Sequence, residues 1–520
     1  MNGVIRDTKI RESPELQSKG CGPPPSALPK IRRHLLSFGM RSAATTPQSS
    51  EILRWAWLLI PVIWALAFRF DGLFGQDPYG YAQDAWNLHE WLRHGEEPPH
   101  FFWTRGYSGL GALLSLPFDS PAATALALQL IAITSLVLTG MIARAWLLDR
   151  YPMLPNIATG MQYALVFAPF MFRAGVLVMS DMPAIACATL ALWQCGRYLR
   201  NPAAWRHLAW AALACGGVVA IRYALVPLLV LPMLGAAWTA LRQRQYAHWL
   251  LFLVAGLPVG LLLLAFPDAM PAPVHSTVSA WSFGNLFTGD YSNADGQFHF
   301  PYPNLVYVLF LLVHPGYVGA FTLLTAIGVW GARKAEWRWE LEGGLLLGAL
   351  LLYMLFIGGL PFQNQRFLLP ALPIVLLLYA PFWSFAFGVI PNSLHRWVWP
   401  TFLLAMGLLT GYVAYQLTYP NRLEKAISAS LAQSGVDTLY TFDLAPALQF
   451  RNQDLVVHNF YDPAMPLPRP GQYVLSRFPE GLDQWAGLAP ARNWTRIQDS
   501  CQLTPLHTFT PSNWTLYVTH

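Results

Sequence analysis

Charge is what this sequence lacks. Asp, Glu, Lys and Arg make up 12% of it and hydrophobic residues 54%, whereas an ordinary soluble domain carries about 25% charged and 45–50% apolar residues. Such a chain cannot clothe a water-facing surface, so an ordinary soluble globular protein is excluded and an integral membrane protein is expected. Cysteine is scarce too. Of the five, Cys21, Cys187, Cys195, Cys215 and Cys501, no set has metal-ligand spacing, and an exported disulfide within the chain is not expected. Lys and Arg are missing altogether from the long stretch 267–304, which holds Asp268, Asp290 and Asp295.

What is present is a series of apolar runs, most of them about as long as the roughly 20 residues that cross a bilayer as a helix, with 208–220 shorter and joined to 223–241 by a short turn that can also be read otherwise. The first is Ile52 to Phe70. Others cover 122–147, 155–172, 182–199, 208–220, 223–241, 249–266, 305–330, 343–360, 367–390 and 398–417, so about eleven transmembrane helices are expected in an all-α polytopic fold. Basic residues mark the cytoplasmic side. They crowd the N-terminal segment (Arg6, Lys9, Arg11, Lys19, Lys30, Arg32, Arg33, Arg41) and alternate loops (Arg150; Arg200 and Arg206; Arg242 and Arg244; Arg333, Lys334 and Arg338). The N-terminus is therefore expected in the cytoplasm, and the first loop and everything after Thr418 on the outer face. The net charge of +6 reflects this topology; nucleic acid is not an expected partner.

Three regions follow. Residues 1–50 read as a disordered cytoplasmic tail without signal-peptide character, and Met40 offers an alternative start. Residues 51–418 form the transmembrane region, with a first outer loop over 71–121. Residues 419–520, with a helical start and strand-like runs at 438–442, 455–457, 472–476 and 514–518, predict a small α+β outer domain. Within the first loop, Pro78 to Arg93 is amphipathic and predicts a helix lying in the interface. Asn493 and Asn513 fit the N-glycosylation acceptor pattern.

Polar residues recur where spans meet the outer face: Asp77 and Arg105 in the first loop, Ser180-Asp181-Met182-Pro183, Arg222-Tyr223, and Arg366. An acid that accepts a proton, among cations that hold a phosphate, suits transfer of a group from a phosphate leaving group to a hydroxyl. Each also has a plainer reading. Asp77 before Pro78 looks like a helix cap followed by a first-turn proline, Asp181 a second cap, and Arg222 and Arg366 span-end residues that snorkel to water. His275, His299 and His314 lie in or near the long outer loop without ligand spacing, so a divalent metal is the one cofactor left open.

The set Asp77-x-x-x-Tyr81, Ala85-Trp86-Asn87-Leu88 and Arg105-Gly106-Tyr107-Ser108, followed in order by Ser180-Asp181-Met182-Pro183-Ala184, Arg222-Tyr223 and Arg366-Phe367-Leu368-Leu369-Pro370, resembles the GT-C superfamily of membrane glycosyltransferases. The branch it resembles contains the dolichyl-phosphate-mannose protein mannosyltransferases and the aminoarabinose lipid A transferases. The resemblance covers about 52–390 and implies an inverting glycosyltransferase using a polyprenyl-phosphate-linked sugar donor and a hydroxyl on a lipid, glycan or protein acceptor. It further implies Asp77 as general base, Arg105, Arg222 and Arg366 as holders of the donor phosphate, and Asp181, Tyr81 and Asp84 as acceptor or positioning residues. Pro78 stands where many relatives carry a second acid, so the role of that acid is either missing here or supplied elsewhere, with Asp84 as the candidate. The compact loops favour a bacterial inner membrane, with membrane lipids as neighbours. A transporter or lipid-linked-sugar flippase is the alternative; it predicts charges at span midpoints and related halves, and neither is visible.

Overall fold

The structure is a computed structural model and describes residues 58–265, 279–293, 296–317, 319–333, 340–478, 484–510 and 512–520. The expected tail, residues 52–57 of the first apolar run, Asp268 and His275 lie outside them. Helices dominate: α1 (Ile60–Phe68), α2 (Gln76–His94), α3 (Gly106–Ser115), α4 (Pro121–Arg150), α5 (Pro155–Val166), α6 (Pro169–Val176), α7 (Asp181–Arg200), α8 (Trp205–Arg222) and α9 (Val226–Arg242). Then come α10 (Gly256–Ala265), α11 (Asn304–Val313), α12 (Gly319–Ala332), α13 (Leu341–Gly358), α14 (Leu372–Val389), α15 (Asn392–Gln433), α16 (Ala445–Arg451) and α17 (Ala489–Ser500).

All eleven apolar runs are helical where described, but they are cut differently from the sequence expectation. Among the described residues six helical stretches are long and apolar enough to cross a membrane, and seven if α6 and α7, bent by 115° at their junction, form one broken span. The run 155–172 is interrupted near Ala168, which precedes Pro169 and takes φ −59° and ψ 126°, as the residue before a proline tends to do. The run 305–330 is broken by the turn at His314–Tyr317, where the Gly316 amide donates to His314 Nδ1 at 3.0 Å. The stretch Trp205–Arg242 is 38 residues long and is interrupted at Arg222, whose extended backbone (φ −162°, ψ 88°) separates α8 from α9.

Helix α7 packs against both α4 and α8, and α12 against α14, around a core that includes Leu128, Leu136, Met161, Ile185, Leu228, Leu372 and Trp383. Leu253, Leu261, Leu264, Leu404 and Leu408 stay exposed, an apolar exterior that only lipid can cover. The protein is an integral membrane protein. The 20 residues of α7 span about 30 Å, and its two ends carry the two charged zones. At its C-terminal end Glu342 is buried against Arg150 (3.3 Å) and Arg200 (3.6 Å) and accepts from Trp146 Nε1 at 3.0 Å. At its N-terminal end stands Asp181.

The C-terminal sheet region has five strands, β3 (Thr438–Thr441), β4 (Val456–Asn459), β5 (Tyr473–Ser476), β6 (Leu503–Phe509) and β7 (Trp514–Thr519), in the order β4-β3-β5-β7-β6. Pairing is parallel for β3 with β4 and β5 and antiparallel for the rest. The alternation of side chains gives two cores: Leu439, Leu475 and Leu516 face the end of α15 and Leu448 of α16, while Tyr440, Val474 and Tyr517 face Trp494 and Ile497 of α17. Asn493 is buried with Nδ2 donating to Phe460 O and Asp462 O (2.9 and 2.8 Å), so as folded it is not available as a glycosylation acceptor. A two-stranded hairpin, β1 (Asp290–Asn293) and β2 (Gly296–His299), precedes α11.

This region is clamped to the helical part by one cluster. Arg451 pairs with Asp71 at 3.0 Å and its Nε donates to Tyr79 OH at 2.9 Å; Tyr79 OH in turn donates to Glu424 at 2.6 Å. Lys425 and Asn421 also reach Asp71, at 3.1 and 2.7 Å. Burial raises the Asp71 carboxyl, but the Arg451 and Lys425 charges and the Asn421 hydrogen bond outweigh it and hold the group below its usual value. A carboxyl lowered in the folded state adds stability that is complete above its ordinary value of 3.8 and is lost as pH falls through the folded value. Arg451→Ala is expected to cost about 1–3 kcal/mol at neutral pH by leaving Tyr79 without its donor and Asp71 with Lys425 as its remaining cation. Thermal unfolding in detergent checks it: the variant melts lower and loses less Tm on acidification than the wild type.

Candidate active site

Helix α2 organises the site. Gly75 (φ 79°) caps it, Gln76 starts it, and no side chain caps it, so Asp77 sits in the first turn and is not the cap that its sequence context suggests. Asp77, Tyr81 and Asp84 then fall at i, i+4 and i+7 on one face, with Asp77 and Asp84 about 10.5 Å apart along the axis. Tyr79 points to the opposite face, into the clamp described above. The loop that leads into α2 is held by Gly72 (φ 78°), whose carbonyl accepts from Val178 N at 2.9 Å. A side chain there would meet Val178 Cγ2 at 2.8 Å.

Each residue of the stripe meets a different element. Asp77 forms an ion pair with Arg366. Tyr81 OH lies 2.8 Å from Ser180 Oγ, with its ring stacked on Trp103 at 5.1 Å and edge-on to Phe101 and Tyr107. Asp84 pairs with Arg105 at 3.4 Å, and Arg105 also donates to the Pro99 carbonyl. Ser180, not Asp181, is the cap residue of α7. Asp181 instead pairs with Arg222 at 3.4 Å, and Arg222 NH1 donates to Ser180 Oγ at 3.2 Å. The seven residues singled out in the sequence therefore come together in three acid–arginine pairs with Tyr81 at the middle. Arg105 is beside Asp84, two helical turns from Asp77, and Arg222 is beside Asp181; Arg366 is the expected cation in contact with Asp77.

The close approach of α3 to α8 sets the Arg105 end. A Cβ at Gly106 would lie 2.4 Å from Ala220 O, and Thr104 Oγ1 donates to Ile221 O at 2.7 Å, so the loop carrying Arg105 lies against the α8–α9 break that presents Arg222. Buried polar atoms stay unspent: Asp84 Oδ2, Asp181 Oδ2 and Arg366 Nε have no hydrogen-bond partner among the described residues. Such atoms are uncommon in a resting fold and suit a site that completes itself with a ligand.

Asp77 and Arg366 open onto a cavity of about 430 Å³ lined also by Arg173, Asn364 and Gln365 and by apolar Phe170, Leu177, Met179 and Leu369. Arg173 was not singled out in the sequence because it directly follows an apolar run. Its signal was Pro169, four residues earlier, which breaks that run and turns α6 toward the site. His89, Glu90 and Asp119 can bring three ligand atoms within 4.8 Å of one another, and so could hold a metal. Their lone pairs are partly engaged, His89 Nδ1 with Ser115 Oγ and Asp119 with Arg93, both at 3.2 Å. Neither described candidate histidine belongs to that group. His299 pairs with Asp290, and His314 stacks on Phe170 at 5.3 Å.

Burial pushes the Asp84 carboxyl up to about 7, against the pull of Arg105. A raised carboxyl keeps its proton in the folded protein where the unfolded chain has lost it, so this contribution to stability falls as pH rises from 3.8 to about 7 and is flat beyond. Asp84→Asn removes the titration. Its Tm relative to wild type is expected to rise with pH across that interval, which parallel melts at the two ends of the interval would measure.

No protein-family model matches the sequence, and no curated protein matches it. Solved structures do. ArnT from Cupriavidus metallidurans bound to undecaprenyl phosphate superposes with a TM-score of 0.59 at 14% identity, over 91% of this chain and 98% of that one. The same protein in the apo state gives 0.56 at 13%, over 89% and 97%. An Archaeoglobus fulgidus oligosaccharyltransferase tethered with an acceptor peptide containing the NVT sequon gives 0.47 at 13%, over 90% and 74%. At this low sequence identity the chain shares the fold of the two ArnT structures.

Proposed function

We propose that the protein is an inverting glycosyltransferase that moves a sugar from a polyprenyl-phosphate donor to a hydroxyl of a cell-envelope glycan, lipid or protein. The observation that carries this reading is the contact of Asp77 with Arg366 at a cavity lined by two arginines, Arg173 and Arg366, together with apolar side chains. A lipid phosphate needs that combination: guanidinium groups for its oxygens and an apolar track for its first isoprene units. The undecaprenyl phosphate in the ArnT structure supports the same ligand class.

In this reading Asp77 takes the proton of the acceptor hydroxyl as its oxygen attacks the anomeric carbon. The bond from that carbon to the phosphate oxygen breaks with inversion, and the polyprenyl phosphate leaves with the electron pair. Arg366, with Arg173 on the same cavity, receives the negative charge that develops on the phosphate. Binding of the phosphate to Arg366 also draws the guanidinium from Asp77, which frees the carboxylate for the proton only when donor is present. Arg222 and Arg105 are further phosphate holders that first have to leave Asp181 and Asp84. Tyr81, Asp181 and Asp84 orient the acceptor and these arginines. The region 51–418 serves as the catalytic membrane domain. With the N-terminus in the cytoplasm, the site and the domain over 419–520 face the periplasm of a bacterial inner membrane, as the distribution of basic loops indicates.

Asp77→Asn is expected to abolish transfer while leaving expression and Tm near wild type, read as loss of polyprenyl-phosphate release and of the glycan mass increment. Retained turnover sinks the base assignment. Arg366→Ala removes a charge-assisted contact of about 1.5–3 kcal/mol and is expected to raise the donor KM roughly tenfold to hundredfold. An unchanged donor KM would remove Arg366 from phosphate binding.

A further inference from the structure

A second pocket lies far from α2 in sequence, at the carboxyl ends of the interior strands β3 and β5 of the C-terminal sheet. Strands β3 and β5 are parallel neighbours. The chain leaves β3 through α16 on one face of the sheet and leaves β5 toward α17 on the other. The crevice beyond their carboxyl ends is thus a topological switch point, the place where parallel sheets bind ligands. Asp443, just past β3, and Arg477, just past β5, meet there with Arg477 donating to Asp443 Oδ2 at 2.7 Å. Asp443 adopts φ 55°, a left-handed backbone that Asp enters more readily than most side chains.

The pocket, about 160 Å³, is walled by Phe442, Phe478, Trp485 and Trp514, with Ser476 and Gln484 beside the ion pair. Arg477 lies over the Trp514 ring at 5.4 Å, and Trp485 meets Phe442 edge-on at 5.0 Å. This lining selects a chemistry. An anion meets Asp443 and a cation meets Arg477, whereas a neutral ligand with adjacent hydroxyls donates to the carboxylate and accepts from the guanidinium at once. Aromatic walls suit the C–H face of a sugar ring and exclude water from those hydrogen bonds.

We infer that this pocket is a carbohydrate-binding subsite that takes a neutral pyranose and, on the glycosyltransferase reading above, holds a sugar of the acceptor. The hairpin links it to the catalytic cavity. Gln297 N donates to Gln484 O at 2.8 Å at the pocket. Phe298 and Phe300 of the same segment pack on Phe362 at 5.2 and 6.3 Å, next to Gln363 on the cavity wall.

Saturation-transfer NMR on the full chain in nanodiscs tests binding without any donor, using methyl α-D-glucopyranoside and methyl α-D-mannopyranoside as probes and glycerol as control. Transfer to ring C–H protons is expected in wild type and equally in Asp77→Asn. It is expected to weaken roughly tenfold or more in affinity in Arg477→Leu, an exposed position that leaves the aromatic core intact, and likewise in Asp443→Asn. Signals from neither pyranose, signals that survive both variants, or equal signals from glycerol overturn the proposal. In a transfer assay Arg477→Leu raises the acceptor KM and leaves the donor KM unchanged. Pyranose binding in a protein without transferase activity would sink the catalytic reading and leave the subsite standing.

Discussion

A carboxylate removed from water must be met by a cation, and in a chain this poor in charge that requirement decides where the connections between helices go. Asp77, Asp84 and Asp181 each find one arginine, and each arginine comes from a different connection between helices. At the buried Asp84 and Asp181, losing the cation would leave a charge whose solvation nothing else replaces. Arg366 and Arg105 are thereby drawn to helix α2 and Arg222 to the start of α7, and the unspent atoms of Asp84, Asp181 and Arg366 lie at the seam. Structural necessity and the proposed chemistry use the same groups, because a site that handles a phosphate needs cations held in place before the phosphate arrives.

Helix α2 transmits this arrangement in two directions. Its stripe of Asp77, Tyr81 and Asp84 faces the helical bundle, while Tyr79 on the reverse joins Glu424 and Arg451. The 42 residues of α15 continue from an apolar stretch into the packing of the sheet, so no slack linker separates the two parts. A carbohydrate subsite in the sheet region would accordingly sit at a fixed distance from Asp77, which suits an enzyme that must present one hydroxyl of a larger acceptor.

Local features were legible in the sequence and pairings were not. The apolar runs gave helices because length and hydropathy are properties of a segment, and the amphipathic pattern of Pro78–Arg93 placed α2 within two residues of its observed Gln76–His94. Strands β3, β4, β5 and β7 were expected near their positions; β6 was missed because it contains Pro505, a bulge beside it and mostly exposed side chains. Both cap assignments failed for one reason. Asp77 and Asp181 stand at helix starts as caps do, but Gly75 and Ser180 begin those helices and the acids turn to distant arginines. Arg173 went unseen inside a hydrophobic neighbourhood, and which arginine faces which acid depends on contacts between remote segments that no local pattern encodes.

The contact between Tyr79 and Glu424 joins positions 345 residues apart. At a synthesis rate of about 5–20 residues per second, the first loop waits roughly twenty seconds to a minute for the partner that completes it. During that interval Asp71 and Tyr79 have neither Arg451 nor Glu424, and Asp77 has no Arg366 for most of it. Helix α2 is therefore made long before its partners: its Asp77 face is completed once Arg366 has been made, and its Tyr79 face only when the last span and the sheet have followed. Completion of the clamp behind the proposed site is thus tied to completion of the chain.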